Sequence, residues 1–165
     1  MDIKLEGLEM LISNIEDIAD TSKLVATMKK ACTAVERSAK LKAYAPKGNG
    51  DLQRSITSYV EADGKEVVGT VFTPLEYAPY VEYGTGMFAE DGKGRKDVPW
   101  FIHIGYGEND ITPEVVERYN FRTIHGKNGE DFAYTYGSHP HPFLRPALYE
   151  NKETITQIIR GGLDV

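Results

Sequence analysis

Apolar residues open the chain at helical spacing. Leu5, Leu8, Leu11, Ile12, Ile15 and Ile18 recur every three or four positions, the stripe of an amphipathic helix. Gly7 places its start after a short extended lead. The segment "ADTSKL" breaks the pattern and offers Asp20, Thr21 or Ser22 as an N-cap. A second stripe follows in Leu24, Met28, Ala31, Val35 and Leu41, flanked by Val25, Cys32 and Ala39. It predicts a long helix over Lys23–Lys42, with Lys40 and Lys42 at the negative end of its dipole. "APKGNGD" ends it, because proline and glycine continue a helix only at a cost.

The period then changes from helical to alternating. Leu52–Glu61 and Lys65–Phe72 flank Asp63-Gly64 and predict a hairpin. With a two-residue turn, Val60 faces Val67, Ser58 faces Gly69 and Ile56 faces Val71. That mostly apolar face is expected to meet the long helix. The other face pairs Tyr59 with Val68, Thr57 with Thr70 and Ser55 with Phe72. It is too apolar for free solvation and calls for a covering element or a partner subunit. Glu61 opposite Glu66 would be a local conflict.

Beyond Pro74 and Pro79 the residues Tyr80, Val81 and Tyr83 read as extended, and Gly84 and Gly86 permit a sharp turn. The stretch at about 84–97 reads as a mobile loop. A fuller connection occupies about 98–137. It contains an alternating strand from Trp100, a short helix with Thr112 as N-cap and Pro113 in first position, and a second hairpin around Gly126–Gly129. Its return strand alternates Phe132, Tyr134 and Tyr136. A final helix is expected from Pro146, with Leu148, Ile155, Ile158 and Ile159 on one side and Gly161-Gly162 as its stop. Helices at both ends with hairpins between them imply an α+β fold. Its antiparallel sheet is built from hairpins and packed by the long N-terminal helix and the C-terminal helix. The 165 residues are expected to form one domain.

Composition narrows the function. The net charge is −6, whereas duplex nucleic acid selects a basic stripe. Lys93, Arg95 and Lys96 are only a local cluster. No run approaches the roughly 20 apolar residues of a membrane span, and the N-terminus lacks the order of a secretion signal, so synthesis and retention in the cytoplasm are expected. The ten tyrosines combine apolar area with a polar tip, which suits surfaces that become interfaces. The single cysteine, Cys32, falls in a helical stripe and reads as a small core residue.

Candidate chemistry is sparse. In "SHPHPFLRPALYENKETI", His139 and His141 could join His103 or His125 as a metal site for a hydrolase. Pro140 and Pro142 make the segment polyproline-like, however, and neighbours two apart on a threefold helix do not point together. No Gly-x-Ser-x-Gly elbow is present. "GTGMFAEDGKGRK" lacks the Gly-Lys-Ser/Thr of a phosphate loop. Glu82, between Val81 and Tyr83, is read as structural, capping a turn or pairing with Arg54 or Arg145. No catalytic residue, metal or cofactor is expected. Pro142 holds an extended approach, Phe143 and Leu144 anchor on a core, and Pro146 suits a first helical turn, so Arg145 is held to reach a carboxylate.

Three blocks, in order, carry a resemblance: "AYAPKGNGDLQRSI", "YAPYVEYGTG" and "HPFLRPAL". Together they resemble the tail-component proteins of tailed bacteriophages and prophages, also described as head–tail connector or tail-completion proteins. Tyr77, Ala78, Val81, Glu82, Tyr83, Gly84 and Thr85 match one block. Pro142, Phe143, Leu144, Arg145, Pro146 and Ala147 match another. The 97–136 connection is longer than the family's usual one. The resemblance implies a non-enzymatic virion protein of the tail or neck, made in the host cytoplasm. It implies a ring, often six-fold, at the head–tail joint, touching connector and tail-terminator or tail-tube proteins, with DNA only as passing cargo and no membrane. Tyr77, Tyr80, Glu82, Tyr83, Gly84, Thr85, Phe143, Leu144 and Arg145 are the interface or structural-motif candidates.

Overall fold

The computed structural model describes residues 2–4, 21–43, 49–63, 66–90, 92 and 94–163. The helix expected over Leu5–Ile18, the Asp20 cap and Gly64 lie outside them. The chain divides into two compact units, 1–78 with 142–165, and 79–141. Helices and antiparallel sheets make it α+β, as the alternation of periods predicts.

In the first unit, helix α1 (Thr21–Lys42) packs on a three-stranded antiparallel sheet of β1 (Asp2–Lys4), β2 (Thr57–Ala62) and β3 (Val67–Phe72), with β3 central. Helix α1 buries Thr27, Met28, Ala31, Cys32, Val35 and Ala39. Leu41 departs from the expected stripe and is 71% exposed. It follows Val35 by six positions, which turns it well away from the seam. Gly69 explains the closeness of helix and sheet, since a Cβ there would stand 2.3 Å from the Cys32 Sγ.

The strand expected from Leu52 begins later. Asp51–Ser55 forms a short helix, α2, entered through Gly50 at φ 80°, with Leu52 buried on it and Ile56 buried at its C-cap. The first hairpin is also out of its expected register. Ala62 pairs with Val67, Val60 with Gly69 and Ser58 with Val71. The connection runs from Asp63 to Glu66, closed by the Asp63 N–H to the Glu66 carbonyl and by the Glu66 N–H to the Asp63 side chain. The slip is two residues, so each side chain keeps its expected face. Glu61 meets Val68 instead of Glu66, and the like-charge conflict does not arise.

The C-terminal helix is two helices, α5 (Leu144–Glu150) and α6 (Lys152–Leu163), divided at Asn151; α3 and α4 belong to the second unit. Phe143 caps the first, and the helix begins two residues before Pro146. Gly161 and Gly162 do not stop α6. They lie within it, because a Cβ on Gly162 would stand 2.2 Å from the Thr27 Oγ1, so this glycine lets α6 approach α1 closely. Phe143, Ile56, Leu144, Val35 and Val71 are the large, fully buried apolar side chains of this unit.

The second unit holds α3 (Ala78–Tyr83, from the boundary residue), a 3-10 turn (Gly86–Phe88), β4 (Trp100–His103), α4 (Pro113–Tyr119), β5 (Arg122–His125) and β6 (Asp131–Thr135). Its sheet is antiparallel with β6 central. The expected Thr112 cap and Pro113 start of α4 are present. The expected extended segment at Tyr80–Tyr83 is helical instead. Pro79 fixes φ in the first turn, where its missing N–H costs nothing.

Candidate functional site

The Tyr-Gly-Thr-Gly stretch is held by backbone hydrogen bonds rather than by a core. The Thr85 N–H donates to the Ser138 carbonyl (2.9 Å) and the Met87 N–H to the Tyr136 carbonyl (3.0 Å). The Ser138 N–H donates to the Thr85 hydroxyl (2.9 Å), and the His141 N–H to the Val81 carbonyl (2.7 Å). Gly84 and Gly86 have φ of 75° and 59°, where an L side chain is strained. A Cβ on Gly86 would stand 2.2 Å from the Tyr136 carbonyl oxygen. Two motifs far apart in sequence, "EYGTG" and "YGSHPH", thus form one bonded seam.

Helix α3 and this seam line an open groove of about 450 Å³ with Pro79, Tyr80, Tyr83, Ala89, Gly94, Arg95 and Trp100. Tyr80 is 62% exposed and Tyr83 half-exposed. The Arg95 guanidinium lies 5.4 Å from the Trp100 ring centroid and donates through Nε and Nη2 to Asp97, both at 2.8 Å. That ion pair holds the Asp97 carboxyl below its ordinary range. The groove is therefore aromatic and small-residue in lining, with one tethered cation.

The other sequence-predicted residues divide. Tyr77 is exposed and Thr85 half-buried. Glu82 is fully buried, and no buried polar side-chain atom among the described residues lacks a hydrogen-bond partner. Arg54 ion-pairs with Asp51 at 2.6 Å. Phe143 and Leu144 are fully buried in the first unit, while Arg145 is half-buried. In the block that contains them, Phe143, Leu144 and Ala147 anchor a core, while Pro142 is exposed.

Sequence reasoning missed Arg95 and Trp100 as groove residues. It also missed an aromatic face on the second sheet. Register puts Phe101, Tyr134 and Arg122 in one cross-strand row, and His103, Phe132 and Ile124 in the next. Phe101 contacts Tyr134 at 6.0 Å between centroids, His103 contacts Phe132 at 5.4 Å, and Tyr134 contacts Tyr136 at 6.3 Å. The alternation of Phe132, Tyr134 and Tyr136 was visible in the chain. Its opposition to Phe101 needed the pairing of strands distant in sequence.

The four histidines go to different places. His103 pairs with Asp110 at 2.9 Å, His125 pairs with Asp131, His139 stacks near Phe88 at 4.0 Å, and the His141 backbone bonds Val81. Among the described residues no three His, Cys, Asp or Glu stand close enough to hold a metal ion. The Asp110 carboxyl is held below its ordinary range by His103 and by the Gly107 N–H, which latches the 104–111 loop. Cys32 is buried, and burial pushes its thiol up to about 11, the reverse of an activated nucleophile.

Residues 9–84 match the family described as "HK97-gp10_like: Bacteriophage HK97-gp10, putative tail-component". Neither a curated protein nor a solved structure matches the chain. The tail-component resemblance read from the motifs is shown over this stretch, which runs through α1, the first hairpin and α3 to Gly84. The match supports a structural role in the phage tail. Among the described residues no helix is long and apolar enough to cross a membrane.

Proposed function

We propose that this protein is a structural component of the virion that assembles with copies of itself into a ring, six-fold by the family resemblance, at the head–tail joint. The observation that carries the reading is the groove of α3. A matched sequence block lines it, two bonded motifs hold its backbone, and it offers the exposed Tyr80 and Tyr83 with the half-buried Trp100 beside them. Exposed aromatic side chains on a fixed backbone are what recurrent contact surfaces use. A head-to-tail contact that closes makes a ring. Connector and tail-terminator or tail-tube proteins would contact the ring above and below. DNA would pass the acidic lumen as cargo, and the protein would catalyse no reaction.

Electron microscopy of the purified chain, alone and mixed with tails lacking it, tests this. Closed rings, on their own or at the tail end, are expected. A Tyr80→Ser, Trp100→Ser variant that keeps its circular dichroism should form none. Particles that join heads to tails normally without this protein, or a variant that still closes rings, would remove the proposal.

A further inference from the structure

The second sheet has two edges, and they differ. Just past β4 the Ile104 N–H donates to the Asp131 carbonyl, so by alternation Phe101 and His103 turn their backbone groups outward. The His103 carbonyl is already taken by the Ile111 N–H, within the Ile104–Ile111 bridge. Pro99, the next outward position, has no N–H to offer. This edge is blocked in the way that natural sheets block edges.

The β5 edge is open. The Gly126 N–H donates to Glu130 and the Gly129 N–H to Gly126, with Gly129 at φ 80°, a three-residue loop closed by a bulge. Counting back from that pair, Thr123 and His125 turn outward. Among the described residues nothing bonds them on that side. All four residues of β5 are exposed, including Ile124 at 42%.

We propose that two copies of this chain pair antiparallel through β5 about a two-fold axis at Ile124, giving one six-stranded sheet. The occupant is a second copy because the edge complements itself. In this register Thr123 and His125 of opposite copies exchange the four outward hydrogen bonds. The row His103–Phe132–Ile124 continues into its own mirror, Ile124–Phe132–His103, so the exposed isoleucines cover each other. The adjacent row runs Tyr134–Arg122 and then Gly126–Glu130 of the second copy. Arg122 lies over a residue with no side chain and reaches the Glu130 carboxylate beyond it, twice by symmetry. No other register centres Ile124 and aligns these charges. The contact is far smaller than a standard interface of about 1,600 Å², so the dimer is weak and forms at high local concentration, as when copies are gathered in a particle. It is isologous and self-closing, unlike a head-to-tail ring contact. It does not rest on the ring and would link two rings, or two free chains.

The test uses the full chain under mild oxidation. Ile124→Cys places two sulfurs at a non-hydrogen-bonded pair about 4.5 Å apart at Cα, within disulfide reach. Cys32 is buried and gives a low background. Disulfide-linked dimer is expected at least tenfold faster than for Tyr119→Cys, an exposed control on α4. In sedimentation, Arg122→Glu and Glu130→Arg should each weaken dimerisation about tenfold, and the double exchange should restore it. Both positions are exposed, so the fold is unaffected. Cross-linking no faster than the control, or a double exchange that restores nothing, would overturn the pairing, whatever other oligomers form.

Discussion

The two units of this chain are built from similar hairpins and treat apolar residues oppositely. In residues 1–78 with 142–165, helices α1, α5 and α6 supply a covered core, and Phe143, Ile56 and Leu144 are sealed. In residues 79–141, Ala133 alone among the described apolar side chains is buried, while Phe101, Tyr106, Tyr119, Ile124 and Tyr136 are exposed. Alternation alone does not make a core. A strand face becomes interior only when something of complementary shape lies on it, and 79–141 contributes a single seven-residue helix after its first strand. The first unit spends its apolar residues on stability. The second keeps them at the surface, where they are available for contact.

The sharpest way to break this contrast is truncation in each unit. Phe143→Ala should cost about 3–5 kcal/mol, the range for emptying a packed aromatic site, read as a lowered urea midpoint. Phe101→Ala, removing a ring of the same size, should cost under about 0.5 kcal/mol. Comparable losses at both positions would mean that the second unit has a core after all.

Glycines give the next largest effect and sharpen the comparison. Gly69→Val drives a side chain into Cys32 and Met28 and should destabilise by about 1–3 kcal/mol through overpacking. The same change should expose Cys32, which in the wild type is expected to resist alkylation until unfolding. Gly86→Ala meets the Tyr136 carbonyl at positive φ and should cost a similar amount. Its distinguishing readout is local: faster hydrogen exchange at Thr85 and Met87, with Cys32 still protected.

Much of the first unit was legible because its signals are local. The α1 stripe is periodic, and α5 and α6 follow from "PFLRPAL" and the isoleucines after it. What failed there was phase and closure. Leu41 lies off the seam, the turn is longer than its Asp-Gly suggests, and the two terminal glycines serve a close approach that no helix-stop rule reveals. The α3 segment read as extended because Tyr80, Val81 and Tyr83 favour strands, while the hydrogen bonds that fix its surroundings come from residues 136–141. Glu82 stood out in the chain only as an acid between Val81 and Tyr83, and its complete burial was not legible from that. The groove was half legible. Its tyrosines were in the quoted block, but Arg95 and Trp100 reach it only through folding.

The smallest expected effect concerns a carboxylate that bridges helix and sheet in the first unit. Glu36 accepts from Lys40 at 2.6 Å and from the Ser58 hydroxyl at 2.6 Å, tying α1 to β2. Burial opposes its charge, but these two hydrogen bonds outweigh it, and its carboxyl titrates below the ordinary range. A depressed folded-state pKa means stability that is fully present above the unfolded value, about 4.3 for Glu. It is lost as pH falls through the lower folded value. Glu36→Gln should therefore reduce stability slightly at neutral pH and flatten the acid limb of the stability curve. In the second unit Asp110, held low by His103 and Gly107, has the same sign, but its loss should loosen only the 104–111 loop. Asp110→Asn is expected to leave the urea midpoint unchanged while speeding exchange at Ile111. If the two substitutions move the midpoint equally at neutral pH, the carboxylates play equal parts in global stability, and the division into a covered unit and a contact-presenting unit does not hold.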